Sequence, residues 1–480
     1  MRNSKDPNDF QSSIDLINKE LRRNKTLKTI NAFGEEYYSD EHQKIFEEFL
    51  SNAQSQNLNL KVIKQLFLKP YLPATEICKE FGISKTELIK TNAFIRSFYK
   101  SKELFTYSPY PYLVNVLGQL SRDAERIKTI LKGERPLPPS DSLELFISEY
   151  CNAKCKFCYR NDNLYHHKDK TLTNSEYAQL INNFADLNGQ NLDVTGGLEP
   201  LLSPSLLGIL KIGVERKLNV HLYTNGIALG NDRKITEQIM KIKRVRISLN
   251  STNSKNYKEV MGVDKFEQVV ENLRQLVETK RKTKSNVQIG VGFAIFKQNY
   301  TCIPEALELA QKLELDFLDL RAVEVTNVER LDQQQRTELQ SILNEVRRKK
   351  MRNEYGALNV SIADTFNTVI NPENDCMKYV KEDLVKELWH FRVTVTPYGK
   401  VYALNFIGQP SREDDRFLLG QIRENKDLSS ILSNGKNIPY DENSLVAHDL
   451  TLMMALSKID SDLEFGINLE ENPFNWNSLP

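Results

Sequence analysis

The sequence predicts an α/β fold: a partial (β/α)6 barrel between an N-terminal helical domain (1–138) and a small α+β C-terminal extension (356–480). Three observations predict it. From about 139 to 355, short apolar runs of strand length alternate with stretches of helical periodicity, six times in succession. Just before, Glu134-Arg135-Pro136-Leu137-Pro138-Pro139-Ser140 breaks the chain, because proline biases its neighbours away from helix. Beyond about 355 the alternation stops. A length of 480 residues leaves room for two or three domains at ~150 residues each.

Residues 1–138 read as mostly helical. An amphipathic stretch begins at 11–17, and 40–50 carries apolar residues at helical spacing with Asp40 as its cap. Residues 73–88 read as two short helices broken at Phe81-Gly82-Ile83-Ser84, the outline of a helix-turn-helix. No basic recognition face accompanies it, so a packing unit is expected rather than a DNA reader, with Cys78 filling core space.

In the barrel region, 143–148 is the first strand and delivers a cysteine-rich loop at its C-terminal end. Thr173-Asn174-Ser175-Glu176 is a capping box that opens a helix, and Gly189 ends it. The second strand is 192–195. Ser203-Pro204 starts the next helix, with serine as cap and proline at the first position. Strands three to six are 219–225, 245–250, 287–296 and 317–321. Helices fill the gaps, including 304–313 and about 333–348; the basic run Arg347 to Arg352 suits a helix C-terminus. Residues 360–363 offer one more strand, and 391–396 and 401–404 flank Pro397-Tyr398-Gly399-Lys400 as a β-hairpin. In such a sheet the helices lie outside and ligands bind at the strand C-termini, where the cysteine loop falls.

That loop reads Cys151-Asn152-Ala153-Lys154-Cys155-Lys156-Phe157-Cys158, three cysteines at C-x3-C-x2-C spacing. Three thiolates can hold three irons of a [4Fe–4S] cluster and leave the fourth iron open to a small chelating molecule. A zinc knuckle short of one ligand, or three buried cysteines, would also supply three thiols. The second strand runs into Thr195-Gly196-Gly197-Leu198-Glu199-Pro200, where paired glycines let backbone approach a ligand and a carboxylate follows.

The two motifs, about 40 residues apart, resemble those of the radical S-adenosylmethionine (radical SAM) enzymes. The resemblance implies a TIM-like partial barrel holding one [4Fe–4S] cluster and S-adenosylmethionine (SAM). It implies Cys151, Cys155 and Cys158 as cluster ligands, and Gly196, Gly197 and Glu199 at the methionyl amino group of SAM. Phe157 would then pack near the adenine, and Ser248 and Asn250 would meet the ribose or the methionyl carboxylate. The implied chemistry is reductive cleavage of SAM, fed by a flavodoxin or ferredoxin, to a deoxyadenosyl radical that takes hydrogen from a substrate. The family motif is Gly-Gly-Glu-Pro. The leucine inserted here, Leu198, is similar to the radical SAM aminodeoxysugar nucleotide deaminases (ammonia-lyases) of desosamine biosynthesis. The similarity continues through Tyr223-Thr224-Asn225, Arg246-Ile247-Ser248-Leu249, 257–262, Phe266, Gly292-Phe293-Ala294 and 316–321, spanning roughly 60 to 425. It implies a sugar or sugar nucleotide substrate that loses ammonia or water. Where related enzymes carry auxiliary clusters this chain has only Cys376, so a single cluster is expected.

Four further positions are candidates. Arg321, ending the sixth strand, can pair bidentately with a substrate phosphate, or make a structural salt bridge. Glu324 beyond it can act as general base or bond a substrate hydroxyl, or be a solvated loop carboxylate. Cys302, after the fifth strand, is a candidate for returning hydrogen to a product radical. His166 and His167 follow the cysteine loop and can cover the site or move a proton, or be exposed loop residues.

Lys+Arg 65 against Asp+Glu 64 leaves a charge of +1, which offers no electrostatic footprint for nucleic acid or an anionic membrane. The first ten residues are polar, so no signal peptide is read, and no run approaches the ~20 apolar residues of a membrane span. Six cysteines, three of them in one window, do not make a disulfide framework, so the expected compartment is a reducing cytoplasm. Two rival readings stand beside the sugar enzyme. One is a radical SAM enzyme that modifies a ribosomal peptide, its N-terminal helices gripping a leader. The other is a DNA-binding regulator that uses the cluster as a sensor, against which the neutral charge argues.

Overall fold

The computed structural model describes residues 49, 51–98, 111–133, 140–158, 170–195, 197–230, 232–323, 331–363, 379–404, 415–424, 427–434, 438 and 447–473. One ten-stranded sheet organises them. Its strands are β1 (Ser142–Phe146), β2 (Asn191–Thr195), β3 (Asn219–Thr224), β4 (Arg244–Ser248), β5 (Gln288–Ile295), β6 (Phe317–Ala322), β7 (Asn359–Ile362), β8 (Arg392–Val395), β9 (Lys400–Tyr402) and β10 (Leu418–Gln421). Their order is β10-β9-β8-β1-β2-β3-β4-β5-β6-β7, so the sheet is not closed. From β8 to β7 every pairing is parallel; β9 and β10 add antiparallel neighbours. The α/β class and the six strand–helix units are as the sequence predicts.

Side chains alternate across a strand, and here the two faces differ in chemistry. Leu192, Val194, Val220, Leu222, Val245, Ile247, Leu318 and Leu320 face the helices and are fully buried. A Cβ on Gly213 of the helix Leu206–Glu215 would lie 2.7 Å from both Leu192 and Val220, so that helix rests directly on this face. Each such aliphatic side chain stabilises the fold by ~1.5–3 kcal/mol relative to exposure. The alternate residues form an inner face that is largely polar, including Glu144, Asp193, His221, Tyr223, Arg244, Arg246, Asp319 and Arg321.

Several local expectations shift. The hairpin is continuous with the barrel sheet, because β8 pairs in parallel with Ser142 to Leu145 of β1. It covers a strand edge that would otherwise present unpaired N–H and C=O groups. The helix Asn174–Asp186 opens on the Thr173–Glu176 capping box as read. At its other end Asn188, not Gly189, takes the left-handed conformation (φ +63°), while a Cβ on Gly189 would strike the Phe184 ring at 2.2 Å. The helix expected to start at Ser203-Pro204 begins instead at Leu206, after a 3-10 turn Pro200–Leu202. The Ser203 hydroxyl accepts the Ser205 N–H at 3.3 Å, a local turn that delays the helix.

The helices Ala74–Phe81 and Lys85–Phe98 meet at Gly82, whose φ is +61°. The first is pinned at its start by Asp462, which accepts the Ala74 N–H at 2.8 Å from the C-terminal helix Ala447–Glu464. Among the described residues no helix is long and apolar enough to cross a membrane. The stretch 11–17, all of 40–50 except Phe49, the break at 134–139, His166, His167, Gly196, Glu324 and Cys376 lie outside the described residues.

Candidate active site

The carboxyl edge of the sheet gathers four loops that the sequence separates by up to about 100 residues. Cys151, Cys155 and Cys158 follow β1, Gly197 and Glu199 follow β2, Asn225 follows β3, and Asn250 follows β4.

The cysteine loop is tied down on two sides. Lys154 N–H donates to the Met261 carbonyl at 2.9 Å and Lys156 N–H to the Val260 carbonyl at 3.0 Å, so the loop pairs with the end of the helix Ser254–Met261. Gly262 ends that helix at φ +69°, and the loop passes so close that a Cβ there would lie 2.3 Å from the Lys154 carbonyl oxygen. Cys155 Sγ lies 3.6 Å from Met261 Sδ. The Phe157 ring stacks tilted on Phe296, 5.3 Å between centroids, which fastens the loop to the end of β5. On the other side, the Tyr150 carbonyl accepts the Glu199 N–H at 2.8 Å. Asn225 Nδ2 donates to Asn152 Oδ1 at 2.7 Å and lies 3.8 Å from Cys151 Sγ.

Glu199 is 3% exposed, and the chain itself supplies three donors to its carboxylate. Thr224 Oγ1 and Leu201 N–H donate to Oε1 at 2.5 and 3.0 Å, and Asn225 N–H to Oε2 at 2.8 Å. Burial pushes this carboxyl up, to about 7, against the pull of those three donors. Gly197, at φ +48°, turns the loop just before it. The inserted Leu198 is 9% exposed and packs on Tyr398 of the β8–β9 turn, whose hydroxyl donates to Glu149 at 2.5 Å. The insertion therefore has a partner in the C-terminal region, which joins this loop to the hairpin.

Asn250 takes φ +53° and is 2% exposed. Its Oδ1 accepts the Ala294 N–H at 2.7 Å and its Nδ2 lies 3.3 Å from Met261 Sδ. Asn299 donates to the carbonyls of Asn250 and Ala294 at 3.0 and 2.8 Å. Ser248 is half-buried on the inner face, in register with Gly292. Arg321 is exposed on β6, in register with Ala294. Cys302 starts the helix Ile303–Lys312 among core residues, 8% exposed, its sulfur 3.6 Å from Asn256 Nδ2.

The donor set fits a [4Fe–4S] cluster. Three thiols share one short loop, one exposed and two half-buried, and burial followed by the neighbouring Cys158 and Cys151 holds Cys155 well above the usual thiol range. A thiol buried as Cys155 is ionises readily only beside metal. Among the described residues no group of three His, Cys, Asp or Glu could hold a metal ion. A cluster places its ligands on three different irons, so they need not converge on one point.

Asn225, Met261 and Gly262, which lie in stretches that carry the resemblance, knit the site together with Asn299, which no motif singles out. Asn225 directly follows a strand of alternating pattern, which is a usable signal; Asn299 acts on a residue 49 positions away and has none.

Residues 145–310 match the family model of the Radical SAM superfamily. The GTP 3',8-cyclase of Clostridium perfringens (strain SM101 / Type A) is 28% identical over 189 residues, 38% of this chain and 56% of the cyclase. The dTDP-4-amino-4,6-dideoxy-D-glucose ammonia-lyase of Streptomyces venezuelae is 22% identical over 306 residues, 61% of this chain and 63% of the lyase. The chain thus spans less than two thirds of each relative. Among solved structures, Streptococcus suis SuiB bound to S-adenosylmethionine shares the fold at a TM-score of 0.50, with 16% identity, covering 67% of this chain and 71% of SuiB.

Proposed function

We propose that this chain, whose residues 145–310 are a radical SAM domain, takes a hydrogen atom from a sugar or sugar nucleotide and so drives loss of ammonia or water from it. Its cofactors are a [4Fe–4S] cluster and S-adenosylmethionine. When bound, they supply the radical that abstracts hydrogen. The observation that carries the substrate reading is the co-linear relation to the ammonia-lyase over 306 residues. The leucine-inserted glycine loop agrees with it.

In this reading Cys151, Cys155 and Cys158 hold the cluster. Glu199 acts through the backbone: with all three of its donors internal, it fixes the glycine loop against Thr224 and Asn225 and so presents Gly197 to the methionyl end of SAM. Asn250 likewise fixes the end of β4 against β5, which leaves Ser248 beside it to meet the ribose or carboxylate. Phe157 shapes the adenine end through Phe296. The substrate lies on the polar inner face, below the carboxyl edge. A reducing cytoplasm and a flavodoxin or ferredoxin donor complete the picture.

The test is anaerobic. The cluster is reconstituted and reduced, SAM is added, and deoxyadenosine is quantified with and without a panel of free and nucleotide-linked aminosugars. A sugar that raises the yield well above background supports the reading. Background cleavage unchanged by every sugar, with stimulation by a peptide, sinks it.

A further inference from the structure

Strands β4 and β6 set Arg244, Arg246, Asp319 and Arg321 on the inner face, three guanidiniums to one carboxylate. Asp319 is already engaged. Arg244 Nη2 donates to both its oxygens, at 2.8 and 3.0 Å, and Ser361 Oγ donates at 2.7 Å. Arg244 also lies over the Phe317 ring at 3.5 Å. Arg246 is left 3.8 Å from Asp319, with its guanidinium 4.4 Å over the Tyr223 ring. Its side chain is only 17% exposed, and its Nε is buried with no hydrogen-bond partner. Burying a cation with no hydrogen-bonded counter-charge is unfavourable, so a ligand is the natural complement. The fold makes space for this arginine: a Cβ on Gly292 of β5 would lie 3.0 Å from that Nε and 3.1 Å from Cδ.

Arg321 stands on the same face two strands from Arg246, about 10 Å across the sheet, and four residues, about 13 Å, nearer the carboxyl edge, a span that two arginine side chains and a diphosphate can bridge. Burial first, and then the charge of Arg321, push Arg246 down to about 10. Both cations face the barrel interior, and the charge of Arg321 also acts on Tyr223. The other half of the inner face has the opposite balance. There Asp193 meets His221 at 2.9 Å and Arg392 at 3.6 Å, and Glu144 accepts from Thr394 at 3.1 Å. An anion is drawn to the β4–β6 half.

We propose that Arg246 and Arg321 form a subsite for the phosphate or diphosphate group of the substrate, with Tyr223 as its floor. The proposal deepens the sugar-nucleotide reading and rests on it. Arg246 lies two residues, about 7 Å, below Ser248 on the same strand, so an anchored phosphate leaves the remainder of the molecule to reach the carboxyl edge and the cysteine loop. Planar guanidiniums suit phosphate because they donate two parallel bonds.

The test uses the cluster-loaded full chain under anaerobic conditions. Inorganic pyrophosphate, thymidine diphosphate and malonate are titrated calorimetrically into the unaltered protein, Arg246→Gln, Arg321→Gln and the remote control Arg216→Gln, with folding checked by circular dichroism. The unaltered protein and the control are expected to bind pyrophosphate and thymidine diphosphate and to ignore malonate. Arg246→Gln and Arg321→Gln are each expected to bind tenfold to a hundredfold more weakly. Exposed Arg321 keeps the test open should the buried variant misfold. Unchanged pyrophosphate affinity in the variants, no binding by the unaltered protein, tighter binding of malonate, or loss of SAM affinity in place of pyrophosphate affinity would each overturn the subsite. Arginine-dependent pyrophosphate binding with no sugar nucleotide raising deoxyadenosine keeps the subsite and removes the sugar reading. A sugar nucleotide that raises deoxyadenosine and binds both variants equally well keeps the reading and removes the subsite.

Discussion

Replacing Gly262 by alanine isolates the contact that holds the cysteine loop. The substitution meets two costs. At φ +69° an L side chain is strained by ~1–2 kcal/mol. The new Cβ would also stand 2.3 Å from the Lys154 carbonyl oxygen and 2.9 Å from its carbonyl carbon, backbone atoms that cannot swing aside. Reaching ordinary contact needs a shift of about 1 Å. That shift breaks the Lys154–Met261 and Lys156–Val260 backbone bonds, each contributing ~0.5–1.5 kcal/mol. The expected loss is therefore about 2–5 kcal/mol if it is felt in global stability. If the loop alone gives way, the expected result is substoichiometric iron and sulfide after reconstitution and faster bleaching by a chelator. Gly82→Ala is the reference, because Gly82 has φ +61° and open space around its would-be Cβ, so it carries the strain without the clash. Denaturant unfolding and iron content are measured on both. Equal stability losses together with full cluster content in Gly262→Ala would refute the reasoning.

Cys155→Ala should abolish cluster binding and deoxyadenosine formation; SAM cleavage surviving in that variant would remove the ligand assignment. Leu198→Ala should cost ~2–3 kcal/mol by opening a cavity against Tyr398, and weaken SAM binding, whereas Tyr398→Phe should cost only ~1 kcal/mol; calorimetry of SAM binding separates them. Hydrogen bonds from Arg423, with the Thr173 N–H behind them, hold the Glu176 carboxyl down to about 2. Its folded value lies below the ~4.3 of an unfolded chain, so this stabilisation is full above that pH and lost as pH falls toward 2. Arg423→Gln should flatten acid unfolding in that window, and an unchanged acid limb would dismiss the pair. Cys302→Ala should cost ~1 kcal/mol through lost packing and leave product yield intact, since its sulfur sits among core residues; product lost while deoxyadenosine still forms would restore a hydrogen-returning role.

Much of the fold was legible because it rests on local periodicity. The six strands lie where apolar runs stand, and the capping box at Thr173 forms as written. The helix Ala447–Glu464 leaves no amphipathic signature in the sequence, for a physical reason. Met453, Ala455, Leu456, Ser457, Lys458 and Ile459 are all buried, so it has little of the polar face that betrays an amphipathic helix. Its buried Lys458 and Asp462 pair with each other at 2.6 Å, which reads as surface charge in sequence. The hairpin's place beside β1 was equally hidden, because a pairing across about 250 residues leaves no short-range trace.

The sequence by itself determined the chemistry on offer: three thiols in one loop, a glycine pair followed by a carboxylate, and strands that end beside them. Tertiary structure decided what those groups meet. It turned Glu199 and Asn250 inward, where neighbouring N–H and O–H groups donate to their oxygens, and it gave Leu198 a partner on a distant hairpin. It also set Arg246 and Arg321 on one inner face, two strands apart, a juxtaposition that neither periodicity nor spacing encodes. The reason is general. Periodicity fixes which face a residue occupies, but the register and order of strands fix its neighbours, and only neighbours decide whether a charge is paired or waiting.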